Sequence, residues 1–242
     1  INLMGKSFRK FGWNAVFVDN DNPEAFRAAV TEKTRAIFVE SLANPGGVIV
    51  DLEAIAKIAQ EAEVPLIVDN TMATPWLCRP FEWGADLVVH STTKFLSGQG
   101  NAMGGIVIDS GRFPWFGNAK YPSLSEPCPD YNGLTFAETF GDMAFTLYSH
   151  AVSLRDLGCT QSPMNAWITL NGVETLPLRM ERHEENAQKV AGFLQQHPSV
   201  EWVSYAGLSS SPYFQLTQKY LQGKAGSVFT SVSYTHLTLP TI

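Results

Sequence analysis

Charge is scarce in this sequence. Of 242 residues, 17 are Lys or Arg and 23 are Asp or Glu, so charged residues make up 17%, against roughly a quarter in an ordinary globular chain. The formal net charge of −6 disfavours nucleic acid or an anionic membrane surface as a partner, because both need a basic face. So low a charged fraction points instead to much buried surface, subunit interfaces included. Cysteine is scarcer still. Cys78, Cys128 and Cys159 are far apart and odd in number, which provides neither a disulfide framework nor metal-ligand spacing. The reading they favour is reduced thiols in a cytoplasmic protein. No apolar run reaches the length of a transmembrane helix. The opening Ile1-Asn2-Leu3-Met4-Gly5 lacks the apolar segment of a secretory leader. Because residue 1 is Ile, the chain is read as beginning inside a longer protein.

What is present is an alternation of strand and helix signals. Short β-branched runs at 15–18, 36–39, 66–68, 87–89 and 105–108 each have the length of a buried strand. The clearest helix lies at 51–62, where Asp51 can cap the amino end and Leu52, Ile55, Ala56 and Ala59 share one face. Strand, helix, strand with near-continuous apolar strands predicts an α/β fold, its sheet mostly parallel and covered on both faces. Residues 110–133 hold Pro114, Pro122, Pro127 and Pro129 among several aromatics, which reads as a long ordered loop with something to pack on. Beyond it, 136–157 reads as one helix closed by Gly158. Ser162 and Pro163 read as the cap and first position of another. A long helix over 175–196 ends before Pro198, and its run Glu181-Arg182-His183-Glu184-Glu185 reads as a solvated face. A strand at 200–205 and a helix at 213–221 begin a smaller α+β element. The expected division is a large domain over 1–178, the start of a small one over 179–231, and an appended tail over 232–242. That tail has neither strand alternation nor a helical face.

Three polar clusters follow predicted strands: Glu40-Ser41-Leu42-Ala43-Asn44-Pro45, Asp69-Asn70-Thr71, and His90-Ser91-Thr92-Thr93-Lys94. Ligands of open parallel sheets bind outside the carboxyl ends of the strands, so the three clusters are expected to converge on one crevice. A lysine at such a mouth, partly desolvated, can become a nucleophilic amine, which is what Schiff-base formation requires. Ser91 and Thr93 supply hydroxyls suited to a phosphate dianion, although single hydroxyls more often satisfy local turns. Asp69 follows Leu66-Ile67-Val68 and is expected to be partly buried. It is then either a helix cap or the partner of a buried cation such as a pyridinium nitrogen. The string Ser91-Thr92-Thr93-Lys94 also fits the S-x-x-K pattern of serine acyl-enzymes, but the S-D-N and K-T-G elements of those enzymes are absent.

The blocks Asp69-Asn70-Thr71-Met72-Ala73-Thr74-Pro75, His90-Ser91-Thr92-Thr93-Lys94-Phe95-Leu96-Ser97-Gly98 and Glu40-Ser41-Leu42-Ala43-Asn44-Pro45 together resemble the Cys/Met-metabolism family of pyridoxal-phosphate (PLP) enzymes. The likeness runs from about Asn2 to Thr230. It departs at Gly98-Gln99-Gly100, where the family has Gly-His-Gly. The insertion from Ser125 to Leu134, Ser162-Pro163-Met164-Asn165-Ala166, and the run from Gly172 to His183 resemble the O-acetylhomoserine sulfhydrylase branch. The resemblance implies a fold-type-I transferase in which Lys94 holds the cofactor covalently and Asp69 pairs with the pyridinium nitrogen. Ser91 and Thr93 would hold the phosphate, and Asn44 and Thr71 would lie by the ring hydroxyl. It implies γ-replacement on O-acetylhomoserine with sulfide or methanethiol, by a homodimer or homotetramer of methionine biosynthesis, without metal. Cystathionine γ-synthase, methionine γ-lyase and cystathionine lyases are the related alternatives. The family's phosphate clamp and ring-stacking Tyr are expected before Ile1, and its carboxylate-binding Arg after Ser231. The 242 residues alone are accordingly expected to bind PLP poorly and to be inactive.

Overall fold

The computed structural model describes residues 2–233. At its centre is a four-stranded sheet in the order β1 (Ile37–Glu40), β2 (Leu66–Asp69), β3 (Leu87–Ser91) and β4 (Gly105–Asp109). β1, β2 and β3 are parallel, and β4 is antiparallel to β3. Parallel neighbours need a crossover, and between β1 and β2 it is a helix, Leu52–Glu61. The side chain of Asp51 caps that helix, accepting from the Ala54 N–H at 3.2 Å. Leu52, Ile55, Ile58 and Ala59 are its buried face. They share a core with Ile37, Val39, Leu66 and Val68 of the strands.

Four of the five expected strands are therefore present, each within two residues of its predicted ends. The fifth is not. Among the described residues, 15–18 pair with no strand, and Val16 and Phe17 are exposed. A β-branched and aromatic run fits a pleated surface only where a neighbouring strand supplies one. Coverage of both faces also fails at one edge, since Ile106 and Val107 of β4 are 46% and 58% exposed.

The aromatic loop is ordered, as expected. Phe113, Trp115 and Leu124 form a second small core with Phe136, Ala137 and Ala144. The single helix expected over 136–157 is interrupted. Gly141 adopts φ 53° and ψ −118° between the turns Phe136–Phe140 and Ala144–Tyr148, a conformation that glycine adopts without a Cβ penalty. Gly158 closes the segment in the left-handed region, at φ 68°.

Two helices follow, α1 (Pro163–Glu174) and α2 (Leu176–Gln195). Ser162 caps α1 by accepting from the Asn165 N–H at 3.2 Å, with Pro163 at its first position. On α2, Glu185 pairs with Arg182 and Lys189 on the exposed face, as the charge run predicts, while His183 sits edge-on to Phe95. Met180, Ala187 and Ala191 of α2 join the same core as the sheet, with Tyr205, Tyr220 and Leu221. The residues after 178 thus pack onto the core of those before it.

β5 (Val200–Ser204) and β6 (Thr230–Ser233) form an antiparallel pair around the helix Phe214–Tyr220. Val232 and Ser233, the first residues of the expected tail, pair with Trp202 and Val200. The rest of the expected tail, 234–242, lies outside the described residues.

Candidate active site

β1, β2 and β3 end side by side at Glu40, Asp69 and Ser91. The loops leaving them are knitted together. The Ser41 N–H donates to the Asp69 carbonyl at 3.0 Å, and the Asn70 N–H to the Val89 carbonyl at 2.9 Å. The Ser41 hydroxyl reaches Asn70 Oδ1 at 2.7 Å, and Asn70 Nδ2 donates to the Cys78 carbonyl at 2.8 Å. Ser41 and Asn70 are both buried, so this satisfied pair fixes the spacing of the three strand ends. All three polar clusters do meet at one mouth.

Asp69 is half-buried there. Its Oδ1 accepts from the Thr71 N–H at 2.9 Å. The bond closes a turn two residues on rather than a helix, so the cap reading of Asp69 does not hold. Its Oδ2 has no hydrogen bond among the described residues. Thr71 Oγ1 in turn accepts from the Ser91 N–H at 2.8 Å, which locks the Asp69 turn to the end of β3. Two neighbours register the carboxylate. Desolvation raises the proton affinity of Glu40, and the charge of Asp69 adds to it, against a bond from the Asn44 N–H. Burial lowers the pKa of His90, while Asp69 pulls it up. His90 lies behind the mouth, 4% exposed, and its Nδ1 has no hydrogen-bond partner among the described residues.

Lys94 sits in a wide helical turn, Thr92–Leu96, and breaks it with φ −87° and ψ −122°. Its side chain is exposed and makes no hydrogen bond or ion pair among the described residues. The desolvation expected from the sequence is therefore not seen here, because none of the described residues covers the amine. The Thr93 hydroxyl bridges the Gly104 N–H and carbonyl at 3.1 and 3.3 Å, tying the turn to the approach to β4. The Ser91 hydroxyl is unbonded among the described residues. Asn44 is exposed, and only its backbone N–H is engaged, with Glu40 at 3.2 Å.

One participant escaped the sequence reading except as part of a matching run. Arg179 of α2 reaches across to the Lys94 turn, donating to the Phe95 carbonyl at 2.8 Å. A single arginine in a helix carries no local signal of such a contact. Nor does the sequence mark Thr92, whose buried Oγ1 is unpartnered among the described residues.

Comparison with known proteins gives this arrangement its family. Residues 1–236 match the family described as Cys/Met metabolism PLP-dependent enzyme. The chain belongs to that family. Among its relatives is an O-acetyl-L-homoserine sulfhydrylase of Leptospira meyeri, 51% identical over 90% of this chain and 51% of that protein. A homocysteine synthase of Schizosaccharomyces pombe is 43% identical over 95% of this chain and 54% of its own length. The chain thus spans about half the length of the curated relatives it matches. A crystal structure of a Campylobacter jejuni protein that carries N'-pyridoxyl-lysine-5'-monophosphate superposes with a TM-score of 0.93. It is 37% identical, over 96% of this chain and 58% of that one. Membership in a PLP family sets aside the acyl-enzyme reading of Ser91-Thr92-Thr93-Lys94.

The donor set fits the family's cofactor. A pyridoxal phosphate offers an aldehyde, a ring nitrogen, a ring hydroxyl and a phosphate. Among the described residues, the mouth offers an unpartnered amine, an unpartnered carboxylate oxygen, an unpartnered hydroxyl on Ser91 and a free amide on Asn44.

Proposed function

We propose that the protein carries out PLP-dependent γ-replacement on O-acetyl-L-homoserine, with sulfide or methanethiol as the incoming group and acetate as the leaving group. The products are homocysteine or methionine. The observation that carries this reading is the unpartnered amine of Lys94 at a strand-end mouth beside Asp69 and Ser91, in a chain whose relatives bear the names given above. When bound, PLP supplies an electron-accepting ring that stabilises negative charge at the substrate's Cα. Lys94 Nζ would hold the cofactor covalently and, once released from it, move protons at Cα and Cβ of the substrate. The free Oδ2 of Asp69 would hold the ring nitrogen in its protonated form. Ser91 and Thr93 would hold the phosphate, and Thr71 and Asn44 would sit by the ring hydroxyl. A homodimer or homotetramer belongs to the proposal. It is supported by the surface of α1, where Met164, Trp167 and Leu170 are each more than 60% exposed, an apolar stripe of the kind that marks interfaces. A cytoplasmic location is proposed on the free thiols Cys78, Cys128 and Cys159.

A PLP-loaded full-length version, given O-acetylhomoserine and sulfide, is expected to release homocysteine and acetate in equal amounts. Faster release of methanethiol from methionine, or of cystathionine from cysteine and an activated homoserine, would place it in another branch. Ser91→Ala is expected to weaken PLP binding about ten- to a hundredfold, the worth of one charge-assisted hydrogen bond. Some activity should remain, because Thr93 and backbone donors are still in place. A spectrophotometric titration reads the change, and an unaltered Kd would remove Ser91 from the phosphate site.

A further inference from the structure

The turn that carries Lys94 takes a hydrogen bond from α2 through one side chain, Arg179. Within the turn, the Ser97 N–H donates to the Thr92 carbonyl at 3.0 Å and the Gly98 N–H to the Lys94 carbonyl at 2.9 Å. Beyond it, Arg179 supplies the hydrogen bond that ties residues 94–98 to α2, from Nη1 to the Phe95 carbonyl at 2.8 Å. The same guanidinium donates through Nη2 to the Gly172 carbonyl at 2.6 Å and through Nε to Thr175 Oγ1 at 3.1 Å. It therefore grips the carbonyl next to Lys94 with one arm and the α1–α2 junction with the others.

Two glycines make the approach possible. At Gly98, with φ +85°, a Cβ would stand 2.7 Å from the guanidinium carbon. At Gly172, a Cβ would collide with the Leu96 and Ser97 carbonyls. The Lys94 turn and the α1–α2 junction are thus in backbone contact, with the guanidinium laid over the seam. Arg179 is half-buried and has no carboxylate partner among the described residues, and burial lowers its pKa. A cation set among neutral acceptors is costly, and this one is satisfied only while the three acceptors keep their places. Its planar fork suits acceptors in three fixed directions, which an ammonium cannot match.

We infer that Arg179 is a positioning residue for Lys94: by fixing the Phe95 carbonyl against α2, it sets the backbone from which the Lys94 amine projects. The helix that carries it also carries Met180, Ala187 and Ala191 into the common core, so the position of Lys94 is referred to that core through Arg179. The inference rests on Lys94 as the residue that holds the cofactor.

The test uses PLP-loaded wild type, Arg179→Met and Arg179→Lys. Amide hydrogen exchange at Ser97 and Gly98 is compared with that at Val68 and Val88 in the sheet. Circular dichroism in the cofactor's visible band reports how the bound ring is oriented. Borohydride labelling locates the attachment site. In Arg179→Met, exchange at Ser97 and Gly98 should rise about ten- to a hundredfold, the loss of one hydrogen bond to a charged donor. Exchange at Val68 and Val88 should be unchanged, and the visible signal per bound PLP should fall by about half or more, the flat charged fork no longer setting the turn. Arg179→Lys keeps the charge and part of the contact, and should lie between wild type and Arg179→Met. It also decides the matter if Arg179→Met does not fold. Label on Lys94 in wild type, with both variants matching it in exchange and visible signal, overturns the inference and leaves the proposed function standing. Label on another lysine in wild type overturns both.

Discussion

Lys94→Arg is expected to lower turnover of O-acetylhomoserine by about four orders of magnitude or more, at least about 5 kcal/mol at 1.36 kcal/mol per tenfold. The substitution keeps a long cationic side chain but replaces an amine that can lose its proton by a guanidinium that does not. Both duties proposed for Lys94 need that proton to leave: covalent attachment, and proton transfer, itself worth roughly 10²- to 10⁴-fold. The fold should hardly notice. Lys94 is exposed and makes no hydrogen bond or ion pair among the described residues, so stability should stay within about 0.5 kcal/mol of wild type. Steady-state rates and a thermal melt on the same preparation check both halves. A variant that keeps a tenth of the activity would mean that Lys94 is a surface charge.

Asp69→Asn should cost about two to four orders of magnitude in turnover, about 3–5 kcal/mol. That matches the roughly 4 kcal/mol attraction of opposite charges about 4 Å apart at an effective dielectric near 20. The change is confined to charge. Asparagine's oxygen can still accept from the Thr71 N–H, as Asp69 Oδ1 does at 2.9 Å, and the Thr71–Ser91 link at 2.8 Å is untouched. What is lost is the charge on the unbonded Oδ2. Two neighbours should report it in an NMR titration. Glu40, whose proton affinity Asp69 raises, should titrate lower in the variant, and so should His90. A variant within threefold of wild type would reduce Asp69 to a turn-former.

Much of this was legible in the sequence, and the reasons are local. Asp51 caps its helix because a carboxylate before an apolar face is a cap wherever it occurs. Leu66–Asp69 and Leu87–Ser91 are strands because continuous apolar runs of that length suit a sheet buried on both sides. The convergence of Glu40, Asp69 and Ser91 then follows from parallel order alone. What the sequence hid depends on partners far along the chain. Val16 and Phe17 have strand-forming side chains but no strand to pair with among the described residues. Val232 and Ser233 look featureless, yet β5 gives them a partner 30 residues away in the register Trp202↔Val232. The break at Gly141 is masked by apolar residues on either side that keep a helical period. Arg179 reaches a carbonyl 84 residues earlier in the chain, a contact that no short motif encodes. The exposure of Lys94 is likewise a matter of what stands over it, which its neighbours in sequence do not determine.

The proposed chemistry passes through one covalent bond, and that bond can be read directly. A full-length version, with a family-like amino-terminal segment and a complete small domain, is incubated with PLP, reduced with borohydride, digested and sequenced by mass spectrometry. The pyridoxyl mass is predicted on Lys94, in the peptide that also holds Phe95 and Leu96. The same mass on Lys57 or Lys120, with Lys94 unmodified, would contradict the account.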